Sequence, residues 1–201
     1  MEKTFKQKVC EIAIQNAVLF DKNFVQYEYC ICSSGFDNKY HIIRALGGNY
    51  LHLVGVNTAL SADAFFRKCL NGTLLESDFD FMKKGVGSNA LKGAVRDKVK
   101  VLPDMVNMFD GKSIKVQPDF YKNSIVCAFA TSDTACTLGF SESGHPMSLL
   151  KGYKLSADKE CEIDLILRRE KGSNKSFEEI VFGDMENIGA YKDKLNDILY
   201  F

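Results

Sequence analysis

The sequence predicts an α+β fold, with N-terminal and central helices packed on a mainly antiparallel sheet. Two observations lead to this prediction. Apolar residues recur at helical spacing mostly in the early part of the chain and again near its C-terminal end. Short segments of alternating character, separated by polar turns, fill most of the second half. Helices and strands grouped in this way are typical of α+β proteins.

The length of 201 residues fits a single domain spanning residues 1–201. Residues 73–110 differ in character from their surroundings, and we interpret them as a basic helical insertion in that domain. Lys and Arg total 26, and so do Asp and Glu, so the whole molecule has no net field that would attract nucleic acid. Any anion site must therefore be local.

No segment approaches 18 consecutive apolar residues, and the N-terminal residues lack an apolar signal segment. We therefore expect a cytoplasmic protein without a membrane partner. The seven cysteines are an odd number and include no Cys-x-x-Cys pair, and the three histidines are far apart. This spacing disfavours a zinc site, so we expect reduced core thiols and neither a metal nor a cofactor.

The first third of the chain predicts a helix followed by a β-hairpin. Helical spacing runs over Lys3–Phe20, and strand-like alternation occupies Val25–Ser33 and Tyr40–Leu46. The polar, glycine-containing turn at residues 34–38 indicates that these two strands pair with each other.

A segment that carries a histidine comes next. Tyr50–Val54 alternates in the manner of a strand and places His52 on the same face as Tyr50. Gly55 then releases the backbone, and Ser61 is a candidate N-cap for an amphipathic helix. A histidine on such a strand is either a buried, hydrogen-bonded core residue or a catalytic group, and the sequence leaves both open.

The stretch from residue 83 to residue 100 is the one concentrated basic surface in the sequence, with six Lys or Arg and one Asp. A helix predicted over Asn89–Val101 places Lys92, Arg96 and Lys100 on one stripe. Such a stripe is either a solvated helix face or a set of contacts to RNA phosphates. Pro103 fits the first turn of a further helix.

From residue 113 onward the chain predicts a β meander closed by a helix over Asn187–Tyr200. The short polar turn at residues 132–134 makes the strands on either side of it adjacent and antiparallel. The predicted strands are Ser113–Val116, Ile125–Thr131, Ala135–Glu142, Cys161–Arg168 and Glu178–Phe182.

Two stretches resemble a known family. The first is Tyr50-Leu51-His52-Leu53-Val54-Gly55, followed by the aromatic pair Phe65-Phe66. The second is the strand pair 125–131 and 135–140, followed by His145-Pro146-Met147-Ser148-Leu149-Leu150. Together they resemble the phage-associated branch of the Barnase–EndoU–colicin–RelE ribonuclease-like superfold over residues 25–170, with the basic segment 83–100 outside the resemblance.

The resemblance implies an RNA-cleaving toxin or effector from a bacterium or its mobile elements. It also implies chemistry that needs no metal. In that chemistry a base removes the proton of the ribose 2′-hydroxyl group and cations stabilise the phosphorane. An acid then protonates the leaving 5′-oxygen.

Few residues of this chain are able to perform these steps. His52 and His145 can act as acid and base near neutral pH. Ser148, which belongs to the Pro-x-Ser motif, is either a hydrogen-bond donor to a phosphate oxygen or an ordinary cap or turn residue. Lys151 and Arg168 are the candidate cations of the later strands. The candidate RNA-binding residues are Lys92, Arg96 and Lys100.

The resulting hypothesis is metal-independent RNA cleavage in which His52 acts as general acid or base. The expected partners are RNA and an antitoxin or another protein. The alternative is a catalytically inactive module of the same fold that binds protein or nucleotide, such as a phage inhibitor or accessory protein. An enzyme needs a histidine or Ser148 in one pocket with a cation, whereas a binding module needs only an exposed patch.

Overall fold

The structure is a computed structural model that describes residues 2–85, 87–110, 114–122, 124–173 and 175–195. Within these residues the chain forms five α-helices and nine strands, and the strands pair antiparallel in two sheets. The predicted α+β class is therefore confirmed, with two sheets in place of one. None of the helices in these ranges is long and apolar enough to cross a membrane.

The helices are α1 (Phe5–Phe20), α2 (Asn49–Val54), α3 (Ala62–Leu70), α4 (Ser88–Met105) and α5 (Met185–Leu195). The strands are β1 (Tyr27–Cys32), β2 (Tyr40–Arg44), β3 (Lys115–Lys122), β4 (Ile125–Ser132), β5 (Cys136–Phe140), β6 (Pro146–Lys151), β7 (Cys161–Glu162), β8 (Leu165–Glu170) and β9 (Glu179–Phe182).

One sheet has the strand order β2-β1-β8-β9, and the other has the order β6-β5-β4-β3-β7. The predicted hairpin of β1 and β2 is confirmed, with Cys30 opposite Ile42. The predicted pairing of β4 with β5 is confirmed as well, with Phe129 opposite Phe140. The main core lies between the sheets and helices α1 to α4, which all contribute buried residues to it.

Two predictions about strands need correction. The predicted strand Cys161–Arg168 is divided at Ile163 and Asp164 into β7 and β8, which belong to different sheets. The cause is a change of partner, because β7 pairs with β3 while β8 pairs with β1. In addition, β6 forms in a segment where the sequence analysis places no strand.

The predicted strand Tyr50–Val54 is wrong, because these residues form the short helix α2. Tyr50, Leu53 and Val54 are its buried residues, and their spacing fits one face of a helix. The Asn49 side-chain oxygen accepts a hydrogen bond from the Leu46 backbone N–H at 2.7 Å, which closes the turn that precedes the helix.

The predicted helix break at Pro103 is also wrong, because α4 continues through Pro103 to Met105. Proline removes one backbone donor from the helix, the N–H that would bond the Val99 carbonyl, so α4 loses this single hydrogen bond and ends two residues later. At the C-terminal end, α5 confirms the predicted closing helix as far as Leu195, and residues 196–200 lie outside the described part of the chain, as does Ser113 of the first predicted strand.

The loop between β5 and β6 joins the two sheets at Gly144. The Gly144 carbonyl accepts a hydrogen bond from the Arg44 backbone N–H of β2 at 3.0 Å. Gly144 has φ +78°, and a Cβ atom there would lie 1.8 Å from the Ile42 carbonyl oxygen. The approach of the loop to β2 therefore requires glycine.

We predict that Gly144→Ala lowers the free energy of unfolding by about 1–3 kcal/mol more than Gly152→Ala does, as measured by chemical denaturation. Gly152 is the matched control, because it has φ +75° but no atom lies within 4 Å of the place a Cβ would occupy. Both variants place alanine in the left-handed backbone region, which lowers the free energy of unfolding by about 1–2 kcal/mol in each. Equal losses would contradict a steric role for Gly144.

Candidate active site

An open pocket of about 300 Å³ lies between the C-terminal end of α2, the turn that follows it, and α4. Its walls combine apolar and polar side chains. The apolar residues are Leu51, Val56, Leu91 and Ala94, and the polar or charged residues are His52, Asn57, Thr58, Lys83 and Lys98. One imidazole and two ammonium groups therefore share a pocket in which no carboxylate is found among the described lining residues.

Lys98 is positioned by the end of α2. Its Nζ donates a hydrogen bond to the His52 carbonyl oxygen at 2.5 Å. A helix leaves its last carbonyls without partners, and a cation at that end interacts favourably with the helix dipole. The contact fixes the Lys98 ammonium group next to the residue that carries the imidazole.

Gly55 makes room for Lys98. It ends α2 in the left-handed region with φ +83°, where a side chain is strained. A Cβ atom at this position would also lie 2.7 Å from Cδ of Lys98. The left-handed backbone conformation thus favours glycine, and a side chain here would also displace the end of the flexible Lys98 side chain, so the Gly in the His-Leu-x-Gly motif belongs to the pocket itself.

Half-burial lowers the pKa of Lys98 to about 8, and the nearby positive charge of Lys83 contributes in the same direction. Burial disfavours the charged form of a lysine, and a like charge does the same. Lys98 has no ion-pair partner among the described residues. Its ammonium group therefore loses a proton far more readily than an ordinary lysine does.

His52 is exposed at the rim of the pocket. Its ring makes no hydrogen bond within the described part of the chain, and only its backbone carbonyl is engaged. The interpretation of His52 as a buried, hydrogen-bonded core histidine is therefore contradicted. Its position on a helix, not on a strand, turns it away from the buried Tyr50, Leu53 and Val54.

Asn57 and Thr58 hold the turn beside the pocket in place. The Thr58 hydroxyl donates to the Asp78 carbonyl at 2.5 Å and accepts from the Leu60 N–H at 3.1 Å. The Asn57 side-chain amide donates to the Asp80 carboxylate at 2.9 Å. Hydrogen bonds from the Met82 N–H and from Asn57 lower the pKa of Asp80. These polar groups are thus largely occupied by the turn.

The other predicted catalytic residues lie elsewhere. Ser148 faces Gly139 and Cys127, while the next residue, Leu149, faces the main core beside the helices. Because side chains alternate along a strand, the hydroxyl group points to the side of the sheet opposite α2 and α4. The structure therefore does not bring Ser148 together with His52.

The two predicted cations are also outside the pocket. Lys151 forms an ion pair with Asp97 of α4 at 3.3 Å. Arg168 belongs to the other sheet, where its guanidinium group forms two hydrogen bonds to Glu179 and lies 4.5 Å from the Tyr27 ring centroid. Arg168 lines a different pocket, beside Tyr29.

His145 has a role in joining the sheets. Its Nδ1 hydrogen-bonds the Arg44 carbonyl oxygen, and because a carbonyl can only accept, Nδ1 is the donor. Its backbone N–H donates to the Ser141 hydroxyl at 3.1 Å. The ring is thereby oriented towards β2, and His145 is not among the residues that line the pocket of His52.

The predicted RNA-binding residues lie on α4, on a face other than the one that Leu91, Ala94 and Lys98 turn to the pocket. Lys92 lies over the Phe81 ring, with Nζ 6.0 Å from the ring centroid, and Arg96 lies 5.2 Å from the Phe5 centroid. Lys100 is exposed, one helical turn further along. All three remain without an ion-pair partner among the described residues.

Sequence reasoning missed Lys98 and Lys83, although a signal for Lys98 existed. Leu91, Ala94 and Lys98 follow the helical spacing i, i+3, i+7, so they share a face of α4 that differs from the Lys92 stripe. A lysine on an otherwise apolar face indicates a half-buried cation. Lys83 gave no such signal, because it lies in an irregular segment.

Across the described residues, no group of three or more His, Cys, Asp or Glu side chains is arranged to hold a metal ion. All seven cysteines are free thiols, and six of them are buried. The chemistry available in the pocket is that of an imidazole and two amines.

An imidazole and amines are groups that can transfer protons and bind an anion. In a comparison with protein families, the family described as phage-Barnase-EndoU-ColicinE5/D-RelE like nuclease4 matches residues 13–199. The chain therefore belongs to this nuclease family. The match includes residues 83–100, which the sequence analysis placed outside its resemblance to the family. Searches of curated proteins and of solved structures found no match.

We predict that Lys98 titrates with a midpoint near pH 8 when its amine is followed by NMR after reductive ¹³C-methylation. Lys83→Gln should raise that midpoint, because it removes the neighbouring positive charge. Lys98→Arg identifies the resonance. A Lys98 midpoint above pH 10 in the wild-type protein would contradict the half-buried environment.

Proposed function

We propose that the protein cleaves RNA without a metal ion, with His52 as general base, Lys98 as general acid and Lys83 as the cation that binds the scissile phosphate. The observation that supports this proposal best is the pairing of an exposed imidazole with a half-buried lysine in one pocket. Membership of a nuclease family supports the reaction class.

The reaction is an internal transesterification. His52 accepts the proton of the ribose 2′-hydroxyl, and the 2′-oxygen forms a bond to phosphorus. The bond from phosphorus to the 5′-oxygen breaks, and that oxygen takes a proton from the Lys98 ammonium group. The products are a 2′,3′-cyclic phosphate and a free 5′-hydroxyl, and Lys83 offsets the charge that develops on the phosphorane.

The lowered pKa of Lys98 suits it to donate this proton. With a pKa of about 8, roughly nine in ten Lys98 side chains carry the proton at pH 7, yet they release it more easily than an ordinary ammonium group. The hydrogen bond to the His52 carbonyl also fixes the acid relative to the residue that carries the base. The geometry thus favours acid and base roles at near-neutral pH.

The proposal changes the partners that the sequence assigned to His52. Ser148, Lys151, Arg168 and His145 lie outside the pocket, and Lys98 and Lys83 take the roles of acid and cation. We also propose a biological role. The protein is a toxin or effector that acts on RNA in the cytoplasm and is controlled by an antitoxin or another protein partner. The phage association of the family supports that role.

One observation favours binding without cleavage as the second candidate. The Lys98 ammonium group already donates a hydrogen bond to the His52 carbonyl. To donate a proton to an RNA oxygen, it must either use another of its N–H groups or break that hydrogen bond. A pocket in which Lys98 only caps α2 would bind the anion without catalysing its reaction. Such a protein would be an inactive nucleotide-binding module of the same fold.

We predict that His52→Ala lowers the rate of RNA cleavage by about 10²- to 10⁴-fold, because it removes the base. Since His52 is exposed, the thermal unfolding midpoint should be unchanged. Lys159→Gln, an exposed lysine in the loop between β6 and β7, is the control and should cleave normally. Undiminished cleavage by His52→Ala would contradict the assignment of the base.

The pH dependence of cleavage tests the acid. The rate should fall as pH rises through about 8, because Lys98 then loses the proton it must donate. Lys98→Arg should lower the maximal rate and remove that falling limb, because a guanidinium group stays protonated. EDTA should not inhibit the wild-type enzyme. A falling limb near pH 8 that persists in Lys98→Arg would exclude Lys98 as the acid.

A further inference from the structure

Three phenyl rings form a row where the N-terminal end of α1 meets α4 and the segment that precedes it. The centroids of Phe5 and Phe81 are 5.2 Å apart, and those of Phe81 and Phe79 are 6.0 Å apart. Phe79 and Phe81 are buried, and Phe5 is half-buried. The row is therefore a fixed feature of the fold, which we name the aromatic seam.

Each ring of the aromatic seam carries a cation on its face. Arg96 lies 5.2 Å from the Phe5 centroid, and Lys92 lies 6.0 Å from the Phe81 centroid. The third cation comes from the other helix, since Lys6 of α1 lies 5.3 Å from the Phe79 centroid. Cation–π contacts at exposed sites are individually weak, but they favour one position of a long side chain.

These three cations are not neutralised by carboxylates in the described part of the chain. Two other lysines at this end of α1 are neutralised by ion pairs. Lys3 pairs with Glu11 at 2.8 Å, and Lys8 pairs with Glu2 at 3.3 Å. The Asp80 carboxylate interacts weakly with Lys6, and its hydrogen bonds from Asn57 and the Met82 N–H favour its charged form, so it offsets part of the Lys6 charge. The seam is thus a row of positioned positive charges that form no ion pair among the described residues.

The seam continues towards the pocket. Phe81 of the seam precedes Lys83 by only two residues, and Lys83 lines the pocket. One short segment therefore connects the positive charges over the rings with those of Lys83 and Lys98. A linear polyanion that places one phosphate in the pocket can extend its neighbouring phosphates along this surface.

We infer that the aromatic seam binds the backbone phosphates of a single-stranded RNA on one side of the nucleotide that occupies the pocket. This inference rests on the proposed function for the identity of that nucleotide. The ring faces are covered by cations, so they are closed to stacking by bases, and the contact is independent of base sequence. Lys100 lies over no aromatic ring of the described residues, so it is outside the seam.

The test is the affinity of an uncleavable 2′-O-methyl RNA 12-mer, measured by fluorescence anisotropy over a series of salt concentrations. Lys6→Gln and Arg96→Gln should each weaken binding and reduce the slope of log affinity against log salt by about 0.7, the value for one phosphate contact in a single strand. Phe81→Leu should weaken binding too, because it removes the ring that positions Lys92.

Two lysines serve as controls. Lys3→Gln changes an ion-paired lysine that flanks the same helix, and Lys159→Gln changes an exposed lysine in the loop between β6 and β7. Neither should alter affinity or slope. Weaker binding for Lys100→Gln with normal binding for Lys6→Gln would overturn the seam in favour of a stripe along α4 alone. A tenfold difference between oligouridine and oligoadenosine would overturn backbone recognition.

Cleavage of a dinucleotide separates this inference from the proposed function. A dinucleotide fills the pocket without reaching the seam, so Lys6→Gln and Arg96→Gln should cleave it at the wild-type rate while they raise KM for a longer RNA. If the wild-type protein binds the 12-mer through the seam but cleaves nothing, the proposed catalysis fails and the seam stands. If no single-stranded RNA binds at low salt, the seam is overturned.

Discussion

The buried side chain of Tyr50 fixes the position of the candidate site. Its hydroxyl donates to the Ala13 carbonyl of α1 at 2.7 Å, and its ring packs against Phe20 and Phe66 at centroid distances of 5.1 and 5.6 Å. Burial raises the pKa of Tyr50, so the hydroxyl remains a donor. A helix of six residues is too short to persist alone, so α2 depends on these contacts. The place of His52, of Gly55 and of the Lys98 contact follows from this anchor.

The same segment shows where sequence reasoning succeeds and where it fails. Over five residues, a period of two and a period of 3.6 both fit Tyr50–Val54, and only the packing of Tyr50 against α1 selects the helix. Longer sequence patterns were not ambiguous in this way. Helix α1 was predictable because many apolar positions follow the helical period. The hairpin of β4 and β5 was predictable because the short turn between the two strands allows only an antiparallel pair.

The candidate site was predictable in part. The motif identified His52 and Gly55, but it also suggested Ser148, whose side-chain direction depends on the register of β6 in the sheet. Lys98 acts on His52 across 46 positions of the chain, and its half-buried state comes from the fold around it. When the pKa of a residue is set by burial against segments that are distant in the chain, the local sequence predicts it poorly.

A molecule with no net charge can still present a strongly basic surface, and the ion pairs show how. The carboxylates of the sheets are used to neutralise arginine and lysine side chains there: Glu28 binds Arg44 and Arg169, Glu179 binds Arg168, and Glu160 binds Lys115. The described cations of the pocket and of the aromatic seam have no such partners.

The positive electrostatic field at the pocket and the seam therefore arises because their cations form no ion pairs, and not because the protein has an excess of lysine. Screening at physiological salt acts over about 8 Å, so the paired charges on the sheets contribute little at the pocket. Asp80, which binds Asn57 of the pocket and interacts with Lys6, offsets part of the positive charge of Lys83, Lys98 and the seam cations. Overall charge balance is for this reason compatible with recognition of a polyanion, provided that the anion meets the molecule at the α1–α4 surface.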